Sequence, residues 1–277
     1  MRSVKHEPFS YNDAIILANL VIQFFYDEMD EFDIFWDELI SEIAQKLIKP
    51  EKESLLHLYI NWIHSTLDDE VDDTLKNGDL SNSQRILDVM ESTINQLGIK
   101  SYKKDYPNYN SIHKCNHCGK CRSCKKFQRY IDWIKTYNKE LTSQRVHSIF
   151  HVLMLNKAFL RDFHEVIAKS IRIDKKRLHS LYPDDINSDG IIKRKHWPVW
   201  LKKGIFFRDK GVCTLCRNPL SGDLFLGIDP DMDHIVPLAL HGNNDSSNIQ
   251  ILCNICNNKK RHYSSATSSV DIPFWNI

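Results

Sequence analysis

Apolar side chains return every three or four positions along most of the first hundred residues, the period of an amphipathic α-helix. Ile15, Ile16, Leu20, Phe24 and Phe25 form a first stripe, Phe35, Leu39, Ile43 and Leu47 a second, and Leu55, Leu58, Tyr59 and Trp62 a third. Asn77-Gly78 ends one helix, and Ser81 or Asn82 caps the next, which runs through Ile86, Val89, Met90 and Ile94 to Gly98. The pattern predicts a helical bundle. Residues 99–112, with Pro107 and several Tyr, Asn and Ser, read as a linker. Helical spacing resumes between Phe127 and Ile171 in three stripes: Tyr130, Trp133, Ile134 and Tyr137; Val146, Ile149, Phe150 and Leu153; Phe159, Phe163, Val166 and Ile167. A turn-rich, basic stretch from Ile173 to His196 leads into a final segment.

A chain of 277 residues exceeds the usual size of one domain. Three regions are expected: an acidic helical bundle over 1–110, a four-cysteine knuckle with helices over 111–190, and a C-terminal domain over 191–277. The formal net charge of +1 conceals an asymmetry. Residues 1–110 carry 10 Lys and Arg against 21 Asp and Glu, or −11, and residues 111–277 carry 27 against 15, or +12. A polyanion is therefore drawn to the C-terminal part, while the acidic part suits a protein partner or shields the basic face. The apolar run from Ala14 to Tyr26 contains Asn19 and Gln23, is followed by acidic residues, and is too short to span a bilayer. It reads as a buried helix of a cytoplasmic protein with no membrane partner, whose thiols stay reduced. All eight cysteines fall into C-x2-C pairs, which favours metal binding over disulfides.

Cys213-x2-Cys216 and Cys253-x2-Cys256, separated by 36 residues, supply the four soft thiolates of a closed, tetrahedral structural zinc site. Unmetallated buried thiols are the competing reading. Between the pairs lie Asp233-His234-Ile235-Val236-Pro237, a polar loop with Gly242, Asn243 and Asn244, and Asn248-Ile249-Gln250-Ile251-Leu252. Asn257-Asn258-Lys259-Lys260 follows the second pair at once. Hydrolysing a phosphodiester needs a base for water and a cation for the phosphate oxygens. An imidazole suits the first task, and Asp and Asn oxygens suit a hard ion.

Over residues 204–262 this arrangement closely resembles the cysteine-bearing HNH endonuclease family. The resemblance implies a mainly α chain ending in a ββα-metal domain, a two-stranded hairpin packed on a helix around a metal. Asp233 and His234 would lie on the first strand, Asn248 would pin the connecting loop, and Asn257 would open the helix. His234 becomes the general base, Asp233 and Asn257 ligands of magnesium or manganese, and Asn248 the residue that orients His234. Lys259, Lys260 and Arg261 become phosphate contacts. Some members carry a further metal-binding histidine where this chain has Arg261, a departure that favours magnesium or manganese over tightly held transition metals. His196, His241 and His262 lack matched context and read as surface residues. The implied reaction is hydrolysis of DNA, with RNA left open, to a 3′-hydroxyl and a 5′-phosphate. By analogy with the family the setting is restriction or antiphage defence. A different class of function is a zinc module that binds nucleic acid or a partner without cutting.

A second cluster, Cys115, Cys118, Cys121 and Cys124, packs four thiols into ten residues. It suits one zinc, with His113 or His117 as substitutes, while its first two spacings also match bacterial ferredoxins and leave an iron-sulfur cluster open. Lys114, Lys120, Arg122, Lys125, Lys126 and Arg129 surround it, so it is either a backbone-binding module or a staple for the linker.

Overall fold

The computed structural model describes residues 11–27, 29–77, 91, 120–220 and 230–268. The helix expected over 81–98, the linker, and Cys115 and Cys118 of the second cluster lie outside these, with Glu91 the one exception. The Cys124 side chain is also outside the description, and Cys121 is half-buried just before a helix begins at Arg122.

The described residues are mostly helical, with one small sheet. The helices are α1 (Tyr11–Asp27), α2 (Met29–Glu38), α3 (Ile40–Ile48), α4 (Leu55–Asn77), α5 (Arg122–Leu153), α6 (Lys157–Ile173), α7 (Lys175–Leu181), α8 (Val199–Arg208) and α9 (Asn254–Lys260). Strands β1 (Asp231–His234) and β2 (Ile249–Leu252) pair antiparallel, with Asp233 opposite Gln250 and His234 opposite Ile249. Among the described residues no helix is long and apolar enough to cross a membrane.

Two features depart from the helical stripes read in the sequence. In α1 the buried face carries Ala14, Ala18, Val21 and Phe25, while Ile15 and Ile16 are 45% and 44% exposed. Two small alanines begin the stripe that Val21 and Phe25 continue, and an exposed isoleucine is common enough to mislead. The basic stretch after Ile173 holds a further helix, α7, and a tight loop in which the Asn187 Oδ1 accepts from the backbone of Asp189 and Ile191 at 3.0 and 2.8 Å.

The chain divides into two units. The first, Met1–Asn19 with Ile60–Ile149, buries Ile60, Ile63, Tyr130, Ile131, Ile134, Val146 and Ile149, and the Tyr130 hydroxyl donates to Glu91 at 2.6 Å. The second joins Leu20–Tyr59 to Phe150–Ile277. Its centre is an aromatic cluster of Phe25, Phe32, Phe35, Tyr59, Phe159 and Phe163, with ring centroids 5.0 to 6.2 Å apart, several edge to face. Asn156 caps α6 by accepting from the Phe159 N–H at 3.1 Å, which aims Phe159 and Phe163 into that cluster. The other face of the same helix presents His164 to the loop between β1 and β2: its imidazole meets the Ser247 hydroxyl at 2.8 Å and the Asn243 amide at 3.1 Å.

Candidate functional site

The β-hairpin connection, residues 235–248, begins apolar and turns polar from His241, yet it is wholly buried from Asn243 to Asn248. Each buried polar group must then find a partner inside the protein. Asn248 meets three at once. Its Oδ1 accepts from the Val236 N–H at 2.9 Å, and its Nδ2 donates to the carbonyls of Val236 and Asn243 at 3.0 and 2.9 Å. Its own carbonyl accepts from the Ile235 N–H at 2.7 Å, so the chain leaving His234 is held on both sides of one residue. Gly242 closes the turn, because a Cβ there would stand 1.9 Å from the Val236 carbonyl oxygen.

Asp233 and His234 end β1 and are 7% and 1% exposed. The Asp233 Oδ2 accepts from the Gln250 amide at 2.9 Å and pairs with the Lys260 ammonium at 2.9 Å. Burial pushes the Asp233 carboxyl above its ordinary range, and Lys260 and Gln250 oppose this. Burial lowers the His234 imidazole to about 3; the Asn244 hydrogen bond works against this, and the Arg194 and Lys260 charges add to it. His234 is therefore neutral at physiological pH, the form that can accept a proton. Its ring packs against Trp197, with centroids 4.9 Å apart and the planes tilted by 56°, and its Nε2 meets the Asn244 Oδ1 at 3.1 Å.

Asn257 sits half-buried in α9, which packs on both strands. It does not open that helix: Cys253 is the cap, its Sγ accepting from the Cys256 N–H, and the helix starts at Asn254. Lys259 and Arg261 are exposed. Lys260 corrects the expectation of a surface phosphate contact, because its side chain is only 1% exposed and its ammonium donates to the His234 carbonyl at 2.7 Å as well as pairing with Asp233. Helical spacing turns it towards β1, where a buried carboxylate requires a counter-charge. His196 and His262 are exposed and His241 is half-buried.

The Sγ atoms of Cys213, Cys216, Cys253 and Cys256 all lie within 4.8 Å of one another, and those of Cys216 and Cys253 are 3.8 Å apart. A tetrahedral zinc at about 2.3 Å from each sulfur has S···S edges of about 3.8 Å, far beyond a disulfide bond of about 2.05 Å. Burial and the neighbouring thiols push Cys256 up to about 12, whereas at Cys213 the penalty of burial is outweighed by nearby backbone N–H groups that hold the thiol below its ordinary value. Four thiolates so close together need a cation, and this cluster can hold one. It is tied to the sheet through the Thr214 N–H, which donates to the Ile251 carbonyl at 3.0 Å.

Several residues at the site carry no signal in a motif. Asn244, Trp197 and Arg194 contact or act electrostatically on His234, and the last two precede the resembling segment. Asp209, nearly fully buried, accepts from Arg208, from the Ile251 N–H at 3.0 Å and from the ammonium of the distant Lys157. Burial raises its carboxyl, but the charges and hydrogen bonds of Arg208 and Lys157 prevail and hold it below its ordinary value. Arg208 also donates to the Ile249 carbonyl at 2.5 Å, so this cluster anchors β2.

Residues 213–270 match the family model described as HNH endonuclease. This segment of the chain is similar to that family, which is generally one of nucleases, and both β-strands, α9 and all four clustered cysteines fall inside it. No curated protein and no solved structure matches the chain.

Proposed function

We propose that the protein is a divalent-metal-dependent endonuclease that hydrolyses phosphodiester bonds in DNA. The observation that carries this reading is the pairing of a neutral, oriented His234 with the buried carboxylate of Asp233 at the end of one strand, against the helix that bears Asn257.

His234 takes a proton from the attacking water. Burial keeps its basicity low, but a bound phosphate brings negative charge that favours the protonated imidazole. Asp233 and Asn257 would supply the oxygen donors for magnesium or manganese, a hard ion that would stabilise the charge on the phosphate and leaving oxygens. Asn248 holds the loop, and exposed Lys259, Arg261 and Arg194 bind backbone phosphates. The four C-terminal cysteines hold a structural zinc, and the 115–124 cluster holds a second metal. The biological setting we assign is restriction or antiphage defence, with the acidic N-terminal region as the partner surface.

A second reading, a zinc module that binds nucleic acid without cutting, is favoured by the near-complete burial of the His234 ring. Plasmid DNA incubated with the protein and magnesium, manganese or EDTA separates the two. Cutting that needs the metal and falls by about 10² to 10⁴-fold in His234→Ala supports the nuclease. DNA retention with no cutting under any condition supports the binding module.

A further inference from the structure

Asn244 is fully buried, and its amide can point only one way. Its Nδ2 donates to the carbonyl of Ile48 at 2.8 Å and to that of Lys193 at 2.9 Å. Carbonyls only accept, so the amide oxygen must be the atom that faces His234 Nε2 at 3.1 Å. An amide oxygen also only accepts, and the hydrogen between them must then sit on Nε2. The lone pair of the neutral ring is left on Nδ1, the one ring nitrogen able to take a proton. Trp197 fixes the plane of the same ring.

The backbone of Asn244 makes the second attachment, its N–H donating to the Leu47 carbonyl at 2.9 Å. Leu47 and Ile48 are the last residues of α3, where carbonyls have no partner within the helix. One loop residue thus caps α3 and orients the imidazole.

We propose that Asn244 is a positioning residue for His234, which it locks as the Nε2–H tautomer and ties to the end of α3, making this helix from outside the HNH segment part of the cleavage site. The proposal rests on the reading of His234 as the base. Its structural half is tested without any cleavage.

The test uses the full chain labelled with 15N-histidine, in which two-bond couplings from the ring protons identify the protonated nitrogen of His234. The expected wild-type result at neutral pH is the Nε2–H form. Asn244→Ala should mix the tautomers and lower kcat by about 10 to 100-fold with KM changed less than twofold, because the imidazole is misaligned and not deleted. An Nδ1–H form in the wild type overturns the proposal, even if the variant fails to fold. So does an Asn244→Ala protein that keeps both the tautomer and the wild-type kcat. If the wild type shows Nε2–H and Asn244→Ala scrambles it while His234→Ala cuts DNA like the wild type, the positioning stands and the assignment of the base is what fails.

Discussion

Lys260 sits where two demands meet. The buried Asp233 carboxylate needs a positive neighbour, and the strand end needs a donor for the His234 carbonyl; one ammonium serves both. Removing one partner of a buried pair leaves an uncompensated charge, so Lys260→Ala should cost about 3 to 5 kcal/mol. Chemical denaturation measures this, and an unchanged midpoint would mean that Lys260 is solvent-facing after all. Lys259→Ala should leave stability nearly untouched and weaken DNA binding, with a shallower salt dependence. The sequence places both lysines after the cysteine pair but cannot tell them apart, because helix phase alone decides which turns inward. Asp233, His234 and Asn248 were legible because their spacing is local to one hairpin. Asn244 was not, since its partners Ile48 and Lys193 are distant along the chain.

At the level of elements, the hairpin loop is built as much by the helices around it as by itself. Asp245 accepts from the Leu55 N–H at 2.7 Å and so caps α4, while its other oxygen takes the Ser247 N–H at 2.9 Å. Burial raises the Asp245 carboxyl, a cost met by those donors. Asp245→Ala strips an N-cap and leaves a buried backbone donor unpaired, an expected loss of about 2 to 3 kcal/mol. A fragment of residues 191–277 lacks α3, α4 and α6, and its loop of buried polar residues would face water. We expect it to show no cooperative unfolding transition even with zinc present, measured by calorimetry, whereas the full chain shows one. The apolar stripes announced most of these helices. They could not announce that the ends of α3 and α4 receive the loop, because caps supplied by residues about 190 positions away leave no local mark.

Across the whole molecule, protonation couples folding to pH through histidines that are held neutral. His164 lies fully buried between Ser247 and Asn243, and burial, with a smaller push from His234, lowers it to about 3. In the unfolded chain the same imidazole titrates near 6.5, so below that pH the unfolded state binds a proton that the folded state refuses. Its contribution to stability is therefore present above about 6.5 and is lost as pH falls towards 3. Asp233 and Asp245, raised by burial, act in the opposite sense, gaining protons in the folded state first. The wild-type profile mixes these terms, and a single variant separates them. In His164→Gln the site keeps an amide that can meet Ser247 and Asn243 but has nothing to titrate. The stability difference between wild type and His164→Gln should then shift by about 1.4 kcal/mol per pH unit below 6.5, against the wild type, and stay flat above it. Urea denaturation at half-unit steps from pH 7.5 to 5 measures that difference. A gap that does not change with pH would show that His164 takes up its proton as readily in the folded protein as in the unfolded chain, and with it that the polar loop around Ser247 is open to water.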